Sequence, residues 1–301
     1  MDDNKILLSI RCLVYNHEPF LRQCLDGFVM QKTNFRFEAI VHDDASTDGS
    51  AAIIREYAEK YPDIIKPIYE TENQYSKHDG SLGRIMNAAC KGKYIAVCEG
   101  DDYWIDPLKL QKQVDFMESH PDYSMCFHRA RIENETSKTE FYINCSTIED
   151  RDYSGDELLL NWTVPTASII FKHKILGYKS IRDKRMLYGD IVLILRCAEC
   201  GKIRGMSSEM SVYRIQNNSV TNSTALRKRN VESYLNHVDF IKESFSCINK
   251  STFRKLYSEG YFEMFKMKKS FKYFLKSISY SPFYVVHRVW KFLLKKQSVR
   301  L

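Results

Sequence analysis

Residues 97–104 read VCEGDDYW and set three carboxylates, Glu99, Asp101 and Asp102, within four positions, directly after the apolar run 94–98. Like charges at that spacing repel, and burying them unpaired is costly. A hard divalent cation, Mn2+ or Mg2+, relieves such a cluster, because it takes oxygen ligands from loops. A cation held by aspartates commonly grips a phosphate as well. The plainer alternative is a turn at a strand end, where Asp is common. SLGRIMNAACKGK lacks the glycine, lysine and Ser/Thr spacing of a P-loop, which argues against that class of nucleotide site. HDDASTDGS (42–50) sets Asp44, Ser46, Asp48 and Gly49 like the start of a calcium loop, but Arg55 stands where a bidentate Glu is required, so that reading fails. Ser46, Thr47 and Asp48 read as helix-capping residues. Asp43 and Asp44 do not, and a carboxylate at a strand tip can accept the N–H of a pyrimidine base.

These carboxylates need a frame. Residues 6–16 (ILLSIRCLVYN) read as a buried strand, and 18–31 follow with Phe20, Leu21, Cys24, Leu25, Phe28 and Val29 at helical spacing. Strands are expected over 36–44, 63–70 and 93–102, with helices over 46–61 and 81–92. Asp106-Pro107 opens a further helix with Leu110, Val114 and Met117 on one face. Four strands alternating with helices predict an α/β fold, with a mostly parallel sheet flanked by helices. In such sheets ligands bind beyond the carboxyl ends of the strands. The polar clusters Asn16-His17-Glu18, Asp43-Asp44 and Glu99–Asp102 all fall at those ends. After residue 120 the alternation breaks: 123–130, 138–145 and 164–173 read as strands of mixed direction, and 156–161 and 190–200 as helices.

The chain has 301 residues, of which 44% are hydrophobic and 28% charged, enough for one large α/β domain with an appendage. Its net charge of +7 is unevenly spread: residues 226–301 carry 17 Lys and Arg against 5 Asp and Glu, leaving the rest acidic. A nucleic-acid binder basic throughout would look different, and no nucleic-acid partner is expected. Nine scattered cysteines in apolar segments, with no secretory leader at the N-terminus, favour a reducing cytoplasm and buried free thiols. Cys197-x-x-Cys200 lacks a second pair or His at zinc spacing and reads as two buried thiols. Asn134 and Asn144 match the glycosylation acceptor pattern by chance on this view, and no run is long enough to span a membrane.

LVYNHEPFLRQCLDGFVMQ, IVHDDASTDGS and GKYIAVCEGDDYW, in that order, resemble the family-2 glycosyltransferases of the GT-A type, over about residues 6–220. The resemblance implies an inverting transfer of a sugar from a nucleotide-diphosphate sugar, UDP-linked by expectation, to a hydroxyl acceptor. By the same resemblance Tyr15, Asn16 and Glu18 line the nucleotide pocket, and Asp43 or Asp44 contacts the base. Asp101 and Asp102 match the metal-binding end of a DxD motif, with Mn2+ or Mg2+ as cofactor. Glu99 replaces its first Asp and is assigned to ribose or to a metal-bound water. Arg84 and Asn87 fall at donor contacts. LYGDIVLILRCAECGKI (187–203) fits the family's [ED]-D helix start, with Gly189 in place of the first acid and Asp190 as general base; the alternative is a residue favoured there by the helix dipole. YRIQNNSVT (213–221) resembles the family's Y-R-x-H-x-x-S loop with Gln216 for His, and leaves Arg214 for a phosphate contact. Trp104 is either a sugar platform for the acceptor or core packing.

The expected organisation is a catalytic domain over 1–225, with a nucleotide-binding half (1–120) and an acceptor half (121–225), followed by a basic amphipathic helical region over 226–301. Residues 265–301 interleave ten Lys and Arg with Phe, Tyr, Trp and Leu and contain no acid. That pattern fits an interfacial anchor on an anionic inner membrane surface, the alternative being helices packed on the catalytic domain. A cytoplasmic enzyme peripheral on that membrane would take a glycan or lipid-linked glycan acceptor, as in surface polysaccharide assembly. Two rivals are a nucleotidyltransferase, which would carry a Gly-rich basic loop near the first strand, and a non-catalytic sugar-binding relative, which would be expected to lose Asp101, Asp102 or Asp190.

Overall fold

The computed structural model describes residues 5–134, 145–178, 183–215 and 231–288. Most of the expected strand over 138–145, the loop after Ile215 with Gln216, and the tail beyond residue 288 lie outside the described residues.

The chain divides into two compact units. The first holds residues 1–154, 161–180 and 196–217, and with them the whole sheet. Its strands are β1 (Ile6–Val14), β2 (Arg36–Asp43), β3 (Ile65–Tyr69), β4 (Tyr94–Val97), β5 (Tyr103–Trp104), β6 (Tyr123–Asn134), β7 (Ile170–Lys172) and β8 (Lys202–Ile215). Their order in space is β3-β2-β1-β4-β7-β6-β8-β5. The first four are parallel, β7 runs antiparallel to β4, and β5 runs antiparallel to β8. Pro67 is tolerated in β3 because β3 is an edge strand.

Three helices connect the parallel strands, α1 (Glu18–Val29), α2 (Ser50–Lys60) and α3 (Ser81–Ala89), and α4 (Lys109–Ser119) leads from β5 to β6. Leu8, Ile10, Cys12 and Val14 alternate along β1 and pack into one core with Leu21, Cys24, Leu25 and Phe28 of α1. Leu110, Val114 and Met117 of α4 join the same core, as their spacing predicts. The strand order reverses between β1 and β4, since β2 lies on one side of β1 and β4 on the other. That reversal opens a crevice at their carboxyl ends.

Some boundaries differ from the sequence expectation. Of 164–173 only Ile170–Lys172 is strand; Pro165 is followed by a single 3-10 turn over Thr166–Ser168. Helix α4 starts at Lys109, because Asp106 takes the Leu108 N–H in a turn instead of capping the helix directly. All nine cysteines are free thiols, but Cys200 is exposed, not buried with Cys197.

The second unit holds residues 155–160, 181–195 and 218–301. It includes α5 (Gly155–Asn161) up to residue 160, the start of α6 (Gly189–Cys200), and then α7 (Val231–Ser244), α8 (Lys250–Lys268) and α9 (Phe271–Tyr280). Asp156 caps α8 by accepting bonds from Asn249 N (2.9 Å) and Asn249 Nδ2 (2.7 Å). Helices α8 and α9 pack through Ser258 and Ser277, which share hydrogen bonds, and through Tyr280 stacked on Tyr257 and Tyr261. Part of the basic C-terminal region therefore has a core of its own. Phe271, Leu275 and Phe283 nevertheless remain exposed, Phe283 by 86%. Among the described residues no helix is long and apolar enough to cross a membrane.

Candidate active site

Three loops meet at the crevice, and short polar contacts tie them together. After β1, Asn16 adopts a left-handed backbone (φ 56°); its N–H donates to Ser46 Oγ (2.9 Å) and its Oδ1 accepts from Thr47 N (2.7 Å). Glu18 Oε2 accepts from Gly49 N (2.7 Å), and the Glu18 N–H, at the start of α1, donates to Asp48 Oδ2 (3.0 Å). The loops after β1 and β2 thus cap each other's helices. Asn16 and Glu18 hold these two loops together, while Tyr15 beside them is exposed. The loop after β4 continues along β1, with Gly100 N donating to Leu13 O (3.0 Å). Gly100 comes so close that a Cβ there would sit 2.7 Å from His17 Nδ1.

Asp43 and Asp44 have different surroundings, although both are buried. Both oxygens of Asp44 accept backbone N–H bonds, from Gln74 (2.6 Å) and Tyr75 (3.0 Å), and so pin the segment after β3. Asp43 has one long contact, from Ser46 N at 3.4 Å. Of the pair, Asp43 is the one whose carboxylate is not committed to shaping a loop.

At the end of β4, Glu99 is exposed and Asp102 is buried. Asp102 Oδ1 accepts the backbone N–H of Arg214 from the end of β8 (2.9 Å). Burial, with the like charges of Asp101 and Glu99, pushes the Asp102 carboxyl well above its ordinary range. The protein supplies a cation of its own here, Arg214, whose charge acts on Asp102. Arg11, in the middle of β1, has its proton affinity lowered by burial, against the charges of Cys90 and Glu99. Sequence reasoning missed Arg11; the signal was a lone charge inside the apolar run ILLSIRCLV.

Arg214 is 8% exposed, and its guanidinium is already engaged. Nη1 donates to Asp101 O (2.7 Å), Nη2 bonds Gln23 Oε1, and Nε lies 3.7 Å from Glu133 Oε2. The Tyr103 and Phe20 rings lie 4.4 and 5.1 Å away. This corrects the expected phosphate contact: Arg214 clamps the Asp101–Asp102 loop. Trp104 is likewise core, not an open platform. It is 2% exposed, its ring packs on Phe28 at 4.9 Å, and its Nε1–H donates to Ala167 O (2.8 Å). Lys109 Nζ lies 4.1 Å from the Trp104 ring centroid, and burial pushes that amine down to about 7.

On α3, Arg84 is half-exposed and bonds Asp79 O (2.9 Å). Asn87, one turn later, lines a cavity with Lys93 and Tyr94 at the start of β4. Helix α3 runs back from the carboxyl ends of the strands, so its last turn lies at their other ends. Asn87 therefore does not fit a donor contact. Asp190 opens α6 in the second unit, partly buried, and burial raises its carboxyl above the ordinary value.

Among the described residues no three Asp, Glu, His or Cys side chains form a complete metal site. Asp101 and Asp102 are hard oxygen donors suited to Mn2+ or Mg2+. With so few protein donors, such an ion fits only with phosphate oxygens and water completing its shell.

Residues 9–175 match the model of glycosyl transferase family 2. Over 224 residues the chain is 38% identical to the uncharacterized protein Rv1520 of Mycobacterium tuberculosis, covering 74% of this chain and 62% of that one. The chain thus spans less than two thirds of that relative's length. In three dimensions it is similar to residues 1–349 of TarS from S. aureus in complex with UDP-GlcNAc (TM-score 0.66, 14% identity, 91% of this chain and 79% of that one). It is also similar to the mannosyltransferase PcManGT from Pyrobaculum calidifontis in complex with GDP-Man and Mn2+ (TM-score 0.61, 16% identity, 96% and 80%). At those identities the likeness is one of fold, and the fold is GT-A. The match across the three strand-end loops, Asp43 and Asp101–Asp102 included, assigns the chain to glycosyl transferase family 2.

Proposed function

We propose that the chain transfers a sugar, with inversion, from a UDP-sugar to a hydroxyl acceptor, and that the acceptor is a glycan or lipid-linked glycan. The observation that carries this reading is that the loops bearing Asp43 and Asp101–Asp102 both lie against the end of β1, through Asp44 N to Val14 O (2.9 Å) and Gly100 N to Leu13 O (3.0 Å), with Asp102 buried beside the charges of Asp101 and Glu99. The UDP-GlcNAc bound to TarS and the GDP-Man and Mn2+ bound to PcManGT support a nucleoside-diphosphate sugar and a divalent cation.

In this reading Asp43 accepts an N–H of the base, Tyr15 flanks it, and Asn16 and Glu18 keep the wall in register. Glu99 faces the ribose or a metal-bound water, and Arg84 approaches the donor. Asp101 and Asp102 would hold the divalent ion, which when bound offsets the charge of the departing diphosphate. Asp190 takes the acceptor's proton as its oxygen bonds to the anomeric carbon and the bond from that carbon to the diphosphate oxygen breaks. A carboxyl raised by burial is a stronger base than an exposed one. Activity then rises with pH through that raised value and is lost on acidification below it. The exposed Phe271, Leu275 and Phe283, among the lysines of α9 and its surroundings, support contact with an anionic inner membrane surface.

The test is incubation with UDP- and GDP-sugars and Mn2+, reading nucleotide release and the anomeric configuration of the product. Release with inversion, reduced about 10^3-fold in Asp190→Asn, is expected. Retained configuration or full activity in Asp190→Asn would overturn the base assignment. Release with neither class of sugar would overturn the transfer reading.

A further inference from the structure

The opposite end of the same sheet carries the reverse charge. A cavity of about 860 Å³ lies at the starts of β1 and β4 and the end of β7, within the first unit. Five lysines line it: Lys5 before β1, Lys91 and Lys93 in the turn into β4, and Lys172 and Lys174 at the end of β7. One carboxylate, Glu118, joins them, and it is already paired with Lys93 at 2.7 Å. Burial and then the neighbouring Lys174 and Lys93 lower the affinity of Lys172 for its proton.

The cavity is held in shape. Ser9 Oγ accepts from Lys91 N (3.0 Å) and Gly92 N (2.8 Å), and Glu38 Oε1 also accepts from Lys91 N (3.0 Å). A Cβ on Gly92 would lie 2.4 Å from Ser9 N, so Lys91 and Lys93 project from a turn only glycine can make. His173 Nδ1 bonds Gly92 O (2.8 Å) and fastens β7 to that turn. The wall also holds Asn87, whose Oδ1 is buried with no hydrogen-bond partner. Solvated lysines on a convex surface need no counter-ion. Here five line one concave wall with a single carboxylate that is already paired, and although Lys172 donates to Pro121 O and feels Asp122, the wall keeps a net positive charge that favours an anion.

We propose that this cavity binds a phosphate group of a larger polyol or saccharide, the lysines taking the anion and Asn87 Oδ1 accepting a hydroxyl. Its volume exceeds what a bare phosphate fills and suits a small organic ligand. The proposal is independent of the transfer reading, since none of these lysines lies at the carboxyl ends of the parallel strands β1 to β4; β7 runs the other way, which brings Lys172 and Lys174 to their amino ends.

The test is acetylation of the full chain by acetic anhydride, read lysine by lysine by mass spectrometry, with EDTA present to silence any metal site. The probes are inorganic phosphate, a short poly(glycerol phosphate), and vesicles of phosphatidylglycerol. Selective slowing at Lys91, Lys172 and Lys174, by about threefold or more, with Lys60 and Lys112 unchanged, is expected. The double variant Lys172→Gln, Lys174→Gln should bind the effective probe about tenfold more weakly, while the control Lys60→Gln, Lys66→Gln should not. Protection by the soluble probes identifies a free phosphate chain, and protection by vesicles alone identifies a lipid headgroup. No protection by any probe, equal protection of all lysines, or binding unchanged in the cavity variant would overturn the proposal. Thermal melts of both variants establish that they fold.

Discussion

The two ends of the β1–β4 pair differ in charge and in how that charge is held. At the carboxyl ends, Glu99, Asp101 and Asp102 crowd together and are countered from within by Arg214, through its charge and its backbone N–H. At the amino ends, five lysines surround a cavity with one carboxylate among them. The acidic end has its internal countercharge in place and needs only a partial supplement, an ion shared with a phosphate. The basic end is compensated only in part, by Glu118 on Lys93 and by Pro121 O and Asp122 on Lys172. Lys93 and Glu99 are a few positions apart but belong to opposite sites, because β4 runs between them from one end of the sheet to the other.

Four variants separate the two ends. The largest effect is expected from Asp102→Asn, which keeps an acceptor for the Arg214 N–H while removing the charge. Transfer should fall about 10^3-fold, and EDTA should do the same to the wild type; melting curves should barely move. Next is Arg214→Ala, which removes the guanidinium ties to Asp101 O and Gln23 while leaving the backbone N–H bond to Asp102 in place. A loss of about 10^2-fold in kcat is expected, with Lys a poor substitute because one ammonium cannot span the three partners. Gly92→Ala acts at the basic end through folding. The Cβ clash with Ser9 should lower stability by about 2–4 kcal/mol, read by urea unfolding, with kcat per folded molecule within about twofold. The smallest effect is that of Lys172→Gln with Lys174→Gln on transfer to a small acceptor. Rate within about twofold and stability within about 0.5 kcal/mol are expected. A large loss of transfer there would show that the two ends are not separate.

Much of the acidic end was legible in the sequence. Helix and strand periods differ, so the β/α alternation stands out, and the polar clusters fall at the strand ends that the alternation identifies. What escaped was whatever depends on residues far apart in the chain. The bond from Arg214 to Asp102 joins two strands that no local pattern links, so Arg214 read as a phosphate ligand and not as a clamp. Trp104 could not be given a face, because β5 is two residues long and has no period to read. Asn87 was misplaced by one helical turn: α3 is nine residues long, so its first and last turns reach opposite ends of the sheet. The basic end went unseen because its lysines are scattered from Lys5 to Lys174. The trace they leave is a lysine just before each of β1 and β4, which only the pairing of β7 with β4 turns into a cavity.

The most direct test of the central claim, a divalent ion bridging Asp101–Asp102 to a nucleoside diphosphate, is calorimetric titration of UDP into the full chain with and without Mn2+. The account predicts binding that strengthens at least about tenfold with Mn2+, and loss of that gain, but not of folding, in Asp102→Asn. UDP binding that is indifferent to Mn2+, or a gain that survives in Asp102→Asn, would contradict it.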